Sequence, residues 1–127
     1  MHVFVTLASR LAAASLRPDL ARLALAADVG VNVLTGNGNC WKTRMFAPSL
    51  GVAEDPATGS AAGPRALHLA RLGRIAWGDT IEIEQGVEIN RPSRLLARAE
   101  GSSERASRVA VGGAAVIVAR GEFHLVS

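Results

Sequence analysis

The length, composition and charge of the chain limit what it can be. Its 127 residues are 49% hydrophobic and 20% charged, so the chain can bury a core and lacks the polar composition of a disordered protein. The net charge of +3 is carried by arginines that are scattered singly, and the sequence contains no tyrosine. Because nucleic-acid binding uses clustered basic residues, often with aromatic side chains that stack on bases, we expect no nucleic-acid partner.

Cysteine content and hydropathy indicate the compartment. Cys40 is the single cysteine, which excludes an internal disulfide and is typical of a reducing compartment; we expect it to be a packing residue. The first residues read as a strand rather than a signal peptide, and no apolar run is long enough to cross a membrane. The sequence therefore predicts a cytoplasmic protein with no membrane partner.

Hydrophobic spacing predicts short strands and two helices. Leucines at helical intervals predict the first helix over residues 15–28, and a turn follows at residues 35–39 (TGNGN). A second helix begins at Thr58–Ser60 or at Pro64 and ends before Gly73, which suits a helix end. Predicted strands cover residues 2–8, 29–34, 40–47, 80–85, 94–100, 109–111, 114–120 and 122–126, the 109–120 region being two short strands or one bulged strand.

The second predicted helix is unusually rich in alanine and glycine. Small side chains allow a sheet to approach a helix closely on several sides. Many short strands with one long buried helix predict an α+β fold in which a strongly curved sheet wraps around this central helix, together with a second short helix. His68, in the middle of the central helix, is expected to pack in the core rather than to act as a base.

Residues 44–62 (RMFAPSLGVAEDPATGSAA) contain the strongest candidate site. Glu54 and Asp55 precede Thr58, Gly59 and Ser60, so an acid and two hydroxyls lie beside the unpaired N–H groups of a helix N-terminus. Such a position favours a carboxylate or phosphate ligand. The same residue types also cap helices without any further function, and the pattern alone leaves both interpretations open.

Three segments together resemble a known family. Residues 44–62, residues 83–93 (IEQGVEINRPS) and residues 109–125 (VAVGGAAVIVARGEFHL) are similar to the C-terminal half of the phenazine-biosynthesis PhzF-like isomerases, which have the diaminopimelate-epimerase fold. The resemblance covers nearly the whole chain but about half of the family's chain. It implies that residues 1–127 are one domain equivalent to the family's C-terminal domain, with a mainly antiparallel, barrel-like sheet, and that the N-terminal catalytic half is absent.

The resemblance also implies the site residues. Asp55 and Ser60 match the catalytic aspartate and serine of the family, and the N–H groups of residues 59–61 would face a substrate carboxylate or a developing oxyanion. Asn90 stands where the family usually has glycine, and asparagine tolerates the positive φ that the turn needs. The implied substrate-binding residues are Thr58, Gly59, Ala61, Gln85, Gly86 and Arg91.

Members of this family move a proton on small acids without a cofactor. The resemblance therefore implies an isomerase or epimerase acting on a small carboxylate-bearing substrate, with no metal and no organic cofactor. The family's general-base glutamate belongs to the N-terminal half, so we expect a second half to be needed, supplied by a homodimer or by a complementary N-terminal domain. Two alternatives stay open, namely a non-catalytic anion-binding remnant and a fragment of a full-length isomerase.

Overall fold

The computed structural model describes residues 1–26 and 28–125, which form a curled seven-stranded sheet around a central helix. The strands are β1 (His2–Thr6), β2 (Gly30–Asn37), β3 (Cys40–Ala47), β4 (Val52–Asp55), β5 (Thr80–Gln85), β6 (Ser93–Gly101) and β7 (Ala106–Gly113). The helices are α1 (Arg10–Ser15), α2 (Leu20–Ala26) and α3 (Gly59–Arg71), with single 3-10 turns at Pro48–Leu50 and Val87–Ile89. No helix in these two described ranges is long and apolar enough to cross a membrane.

The sheet order is β1-β2-β3-β5-β6-β7, and β4 pairs with β3 outside this path. Two pairs are parallel, β1 with β2 and β3 with β5, and the other four are antiparallel. Two strands pair with the edge of β3 that does not contact β2. Cys40–Lys42 pair with β5, and Met45 and Ala47 pair with β4. The α+β prediction with a mainly antiparallel, curved sheet is confirmed.

Buried and exposed side chains alternate along the strands, and the buried ones form the core. Ile81 and Ile83 on β5 are fully buried, as the alternating sequence predicts, while Glu82 and Glu84, which alternate with them, are partly exposed. They belong to one hydrophobic cluster with Trp41 on β3 and Leu69 on α3. The core therefore lies between the inner face of the sheet and the central helix.

Helix α3 has the predicted position and composition. It begins at Gly59, so the earlier of the two predicted starts is correct, and Pro64 lies inside it. Its small residues from Ala61 to Ala70 are buried, and a Cβ added at Gly63 would lie 2.6 Å from a methyl carbon of Val109 on β7. The helix ends in a Schellman motif, in which the N–H of Gly73 (φ +65°) donates to the Ala70 carbonyl and that of residue 74 to the Leu69 carbonyl.

The first predicted helix was wrong in its bounds. Two short helices replace it, and residues 16–19 between them are not helical. Ser9 caps α1 by accepting a hydrogen bond from the Ala12 N–H at 3.0 Å, and Asp19 likewise accepts from the Arg22 N–H at 3.0 Å. Pro18 disfavours the helical conformation for the residue before it, which accounts for the break between the two helices.

The predicted strands after Gly113 are also wrong. Residues 114–125 have no regular secondary structure, and their large side chains are exposed, with Val118 at 90% and Phe123 at 94%; Val126 lies outside the described residues. High β-propensity gives a strand only where a partner strand and a packing surface are present.

Cys40, predicted to pack, is exposed at the start of β3, whereas His68 is partly buried and stacks on Phe4 with ring centroids 5.3 Å apart.

Candidate functional site

Asp55 is the last residue of β4, and its side chain folds back over the loop that leads into α3. Its Oδ2 accepts a hydrogen bond from the Thr58 hydroxyl at 2.7 Å, and its Oδ1 accepts one from the Ala57 N–H at 3.3 Å. Asx turns of this kind use an aspartate to shape its own loop. The carboxylate is consequently held on the side of the loop where the helix begins.

Buried Gln85, the last residue of β5, ties this loop to the sheet. Its Nε2 donates to the Asp55 carbonyl at 2.7 Å and to the Thr58 hydroxyl oxygen at 2.8 Å, and its Oε1 lies 3.4 Å from the Thr58 N–H. Thr58 is 5% exposed and Gln85 is fully buried. Because their polar atoms are engaged with one another and with Asp55, both residues hold the loop instead of offering free groups to a ligand.

The turn after β5 packs directly against the loop. Gly86 is left-handed (φ 80°), its carbonyl accepts the Arg91 N–H at 2.9 Å, and an added Cβ would lie 2.8 Å from the Pro56 carbonyl oxygen. The Ser93 hydroxyl donates to that same Pro56 carbonyl at 2.5 Å. Asn90 has φ 56°, the positive value that was expected of it. The Arg91 side chain is exposed.

The first turn of α3 supplies hydrogen-bond donors. Gly59 and Ser60 are exposed, and within the described residues no backbone acceptor is bonded to either N–H group. The Ala61 N–H, in contrast, donates to the Thr58 carbonyl at 3.1 Å, so Ala61 has no free donor. Of the three N–H groups expected from the sequence, two remain available for an anion at the positive end of the helix dipole.

Glu54 and Asp55 are neighbours in the chain with different environments. Glu54 forms a two-armed ion pair with Arg44, in which Nε and Nη2 each lie 2.8 Å from a carboxylate oxygen, and both side chains are at most 10% exposed. Arg44 also donates to the carbonyls of Ala13 and Leu16. Glu54 is therefore a structural partner of Arg44, and Asp55 alone faces the loop.

A polar cluster beside Ser60 was missed by the sequence analysis. The Ser60 hydroxyl lies 3.3 Å from His2 Nε2, Asn32 Nδ2 lies 3.3 Å from His2 Nδ1, and Arg65 Nη2 donates to Asn32 Oδ1 at 3.0 Å. Burial, the N-terminal ammonium and Arg65 together lower the pKa of His2, and burial lowers the pKa of Arg65 to about 10. The sequence held one signal of this cluster. Helical spacing puts Arg65 on the same face of α3 as the apolar residues four positions before and after it.

The chemistry of the loop suits an anion. The donors that converge on it are N–H and hydroxyl groups, which bind negatively charged or carbonyl oxygens. Within residues 1–26 and 28–125, no group of three or more His, Cys, Asp or Glu side chains is arranged to hold a metal ion.

The fold and the loop define a class: an α+β protein whose curled sheet surrounds a small-residue helix, with an aspartate and two unpaired helix N–H groups at one end. The chain belongs to the phenazine biosynthesis-like (PhzC-PhzF) family, whose sequence model matches residues 1–121. The expectation drawn from the residues is therefore confirmed at the level of the family.

Named relatives in the family are isomerases. The chain is 53% identical over 124 residues to trans-2,3-dihydro-3-hydroxyanthranilate isomerase of Pseudomonas aeruginosa and 52% identical to the protein of that name from Pseudomonas chlororaphis. In both cases the match covers 98% of this chain and 45% of the relative. The chain thus spans less than half the length of these relatives.

Solved structures agree on the fold. A PhzF-family protein of Enterococcus faecalis matches with a TM-score of 0.64 and 29% identity over 96% of this chain and 44% of its own. A Bacillus anthracis protein of the same family matches with a TM-score of 0.68 at 17% identity, covering 85% of this chain and 40% of that one. The second match supports the fold alone.

Proposed function

We propose that this chain is part of a cofactor-independent isomerase that moves a proton on a small carboxylate-bearing metabolite. The observation that carries the proposal is the loop itself, where the Asp55 carboxylate is hydrogen-bonded to the Thr58 hydroxyl and the next two residues, Gly59 and Ser60, have free N–H groups. The names of the relatives support it, since trans-2,3-dihydro-3-hydroxyanthranilate is a small acid and the reaction named is an isomerisation.

Each site residue then has a distinct role. Asp55 and Ser60 are the catalytic residues, with Asp55 exchanging a proton with the substrate and the Ser60 hydroxyl donating to a substrate oxygen. The N–H groups of Gly59 and Ser60 bind the substrate carboxylate or the oxyanion that develops during proton transfer. Thr58, Gln85, Gly86 and Ala61 hold the loop in place, and Arg91 adds positive charge at its rim.

A second half completes the site in this proposal. The chain corresponds to less than half of its relatives' length, and we assign residues 1–127 to the C-terminal domain, with the general base on the other half. Exposed apolar residues on β7 and beyond it support a partner surface, among them Val111 and Phe123. The partner is a second copy related by a two-fold axis or a complementary N-terminal half.

A non-catalytic anion-binding remnant is the second candidate. The donors Gly59 and Ser60 favour it, because they lie on this chain and need no second half. A fragment of a full-length isomerase is the third, and like the remnant it should bind an anion without transferring a proton when it is alone. An assay that measures ligand binding and proton transfer separately therefore distinguishes a catalytic assembly of this chain from these two candidates.

Anion binding is the first experiment. Malonate is titrated into the ¹⁵N-labelled chain, with sodium chloride at matched ionic strength as the control. We expect the amide signals of Gly59 and Ser60 to move with malonate, and the signal of Ala61, whose N–H is engaged, to move less. Unchanged signals for Gly59 and Ser60 at high malonate concentration would refute the proposed site.

Proton transfer is the second experiment. Exchange at the α-carbon of small hydroxy and amino acids is followed in D₂O, and sedimentation velocity in the same buffer gives the oligomeric state, for which we expect a dimer at low micromolar concentration. General acid–base catalysis contributes about 10²- to 10⁴-fold, so a chain without its general base should exchange slowly. Any exchange by a dimer should be lost in Asp55→Asn. Fast exchange by a monomer would contradict the need for a second half, whereas malonate binding without exchange by any assembly of this chain favours the remnant or the fragment.

A further inference from the structure

We propose that His2 is a positioning residue for Ser60, and that Asn32 and Arg65 hold His2 in the neutral form that carries its proton on Nε2. That N–H donates to the Ser60 hydroxyl oxygen, and the hydroxyl proton is thereby directed outward to an acceptor on the bound anion. The role of Ser60 in binding rests on the proposed function, but the state of His2 does not.

Arg65 determines how the Asn32 amide is oriented. Its side chain is fully buried on α3, and its Nε and Nη1 have no hydrogen-bond partner within the described residues. The partner that it has is the Oδ1 atom of Asn32, at 3.0 Å. A guanidinium can only donate hydrogen bonds, so the amide atom that faces it must be the oxygen.

The contacts of the Asn32 amide nitrogen require the same orientation of the amide. Its nitrogen lies 3.1 Å from the Gly30 carbonyl and 3.3 Å from the Val3 carbonyl, and both of these can only accept. Asn32 is fully buried, where an amide turned the wrong way would leave several groups unsatisfied. The Asn32 nitrogen, a donor, is thereby held 3.3 Å from His2 Nδ1.

The two hydrogens of the Asn32 nitrogen are shared among three acceptors, and because this nitrogen cannot itself accept, the Nδ1 atom that faces it takes the acceptor role. A neutral histidine has one N–H, so its proton lies on Nε2, the atom that is 3.3 Å from the Ser60 hydroxyl oxygen. A protonated His2 would bring an Nδ1–H against the amide hydrogens of Asn32. The charges that act on His2 from the elements around it, the Met1 ammonium and Arg65, are both positive and oppose protonation as well.

The hydrogen bond from His2 decides where the Ser60 hydroxyl proton can point. A serine hydroxyl has one proton to donate and can accept from other donors. Because His2 occupies an acceptor site of the oxygen, the proton cannot be directed at His2 and is free for a ligand. Ser60 is exposed at the start of α3, so this proton and the free N–H groups of residues 59 and 60 are available on one helix turn.

The test reads the proton positions directly. Long-range ¹H–¹⁵N spectra of the labelled imidazoles are recorded from about pH 4 to about pH 9 without any ligand. We expect His2 to show the Nε2–H tautomer at neutral pH and a pKa below the ordinary histidine value of 6.5. An Nδ1–H tautomer in the wild-type chain, or a His2 pKa above 6.5, would overturn the proposal.

Asn32→Asp is the diagnostic variant. An aspartate presents oxygen to both Arg65 and His2, so Nδ1 should become protonated and the pKa of His2 should rise by about one unit or more. Asn37→Asp, at the exposed end of β2, is the matched control and should leave His2 unchanged. If Asn32→Asp folds and His2 keeps its Nε2–H tautomer with an unchanged pKa, the proposal is wrong; if it does not fold, the wild-type titration decides.

Two substitutions at His2 test whether its hydrogen bond to Ser60 affects malonate binding. Gln can still donate an N–H to Ser60, whereas Leu cannot, so we expect His2→Leu to weaken malonate binding by about three- to tenfold and His2→Gln to restore most of it. Equal malonate affinity in wild type and His2→Leu would overturn the role of His2 in positioning Ser60. If malonate fails to bind the wild-type chain, the proposed function fails and the ligand-free spectra alone judge the state of His2.

Discussion

The adjacent carboxylates at the end of β4 should respond very differently to loss of charge. Glu54→Gln leaves Arg44 buried without its counter-ion, and breaking a buried ion pair on one side costs about 3–5 kcal/mol. The two side chains are 6% and 10% exposed. Because Arg44 keeps its hydrogen bonds to two carbonyls of the α1 region, we expect the lower end, a loss of about 3 kcal/mol in the free energy of unfolding.

The chain contains a matched control for burial. Arg94 and Glu82 form a similar two-armed pair, at 2.6–2.9 Å, but their side chains are 74% and 41% exposed. Water and salt screen exposed pairs of this kind, so Glu82→Gln should be nearly neutral. Asp55→Asn should cost about 1 kcal/mol or less, since the amide oxygen can still accept the bond from Thr58 or from Ala57.

Urea unfolding measures all three variants. The expected order of destabilisation is Glu54→Gln well above Asp55→Asn and Glu82→Gln, and a loss of about 3 kcal/mol corresponds to a Tm lower by roughly 10 °C for a domain of this size. Equal losses for Glu54→Gln and Glu82→Gln would refute the argument from burial. A loss in Asp55→Asn as large as that in Glu54→Gln would refute the division between a structural and a functional carboxylate.

Two further predictions concern the turn beside the loop and the pH dependence of stability. Gly86 and Gly51 have nearly the same φ (80° and 78°), but a Cβ at Gly86 would overlap the backbone around Pro56 and Arg91, whereas one at Gly51 meets nothing within 4 Å. Gly51→Ala should therefore cost about 1–2 kcal/mol for the left-handed backbone alone, and Gly86→Ala about 1–3 kcal/mol more for the overlap; equal urea midpoints would contradict this. The pKa of His2 is lower in the folded chain than its ordinary value of 6.5, so the unfolded chain binds more protons between pH 6.5 and the lower pKa of the folded chain. Stability should fall as pH drops through 6.5, and His2→Gln should remove that part of the fall; an unchanged pH profile would show that His2 does not contribute.

Much of the fold followed from the sequence because the deciding physics is local. Isoleucines at alternate positions of β5 can be buried together only on one face of a strand, and a glycine at position 73 can end a helix in the left-handed conformation without a steric penalty. Asn90 tolerates a positive φ for a similar reason. The candidate loop at residues 54–61 was likewise predictable from the sequence, because acids, hydroxyls and small residues at a helix start are a recognisable combination.

The tertiary structure decided which groups in that loop are free. Gln85 and Asp55 are thirty positions apart, and they meet because β4 and β5 share one edge of β3. Ser60 meets His2 across fifty-eight positions, and Arg65 meets Asn32 across thirty-three. The apolar segment after Gly113 shows the same limit in reverse, since its residues favour a strand but have no partner strand in the described chain. Periodicity and turn chemistry act over a few residues, whereas hydrogen-bond partners and strand edges depend on how distant segments are brought together, and the sequence pattern carries no direct record of that.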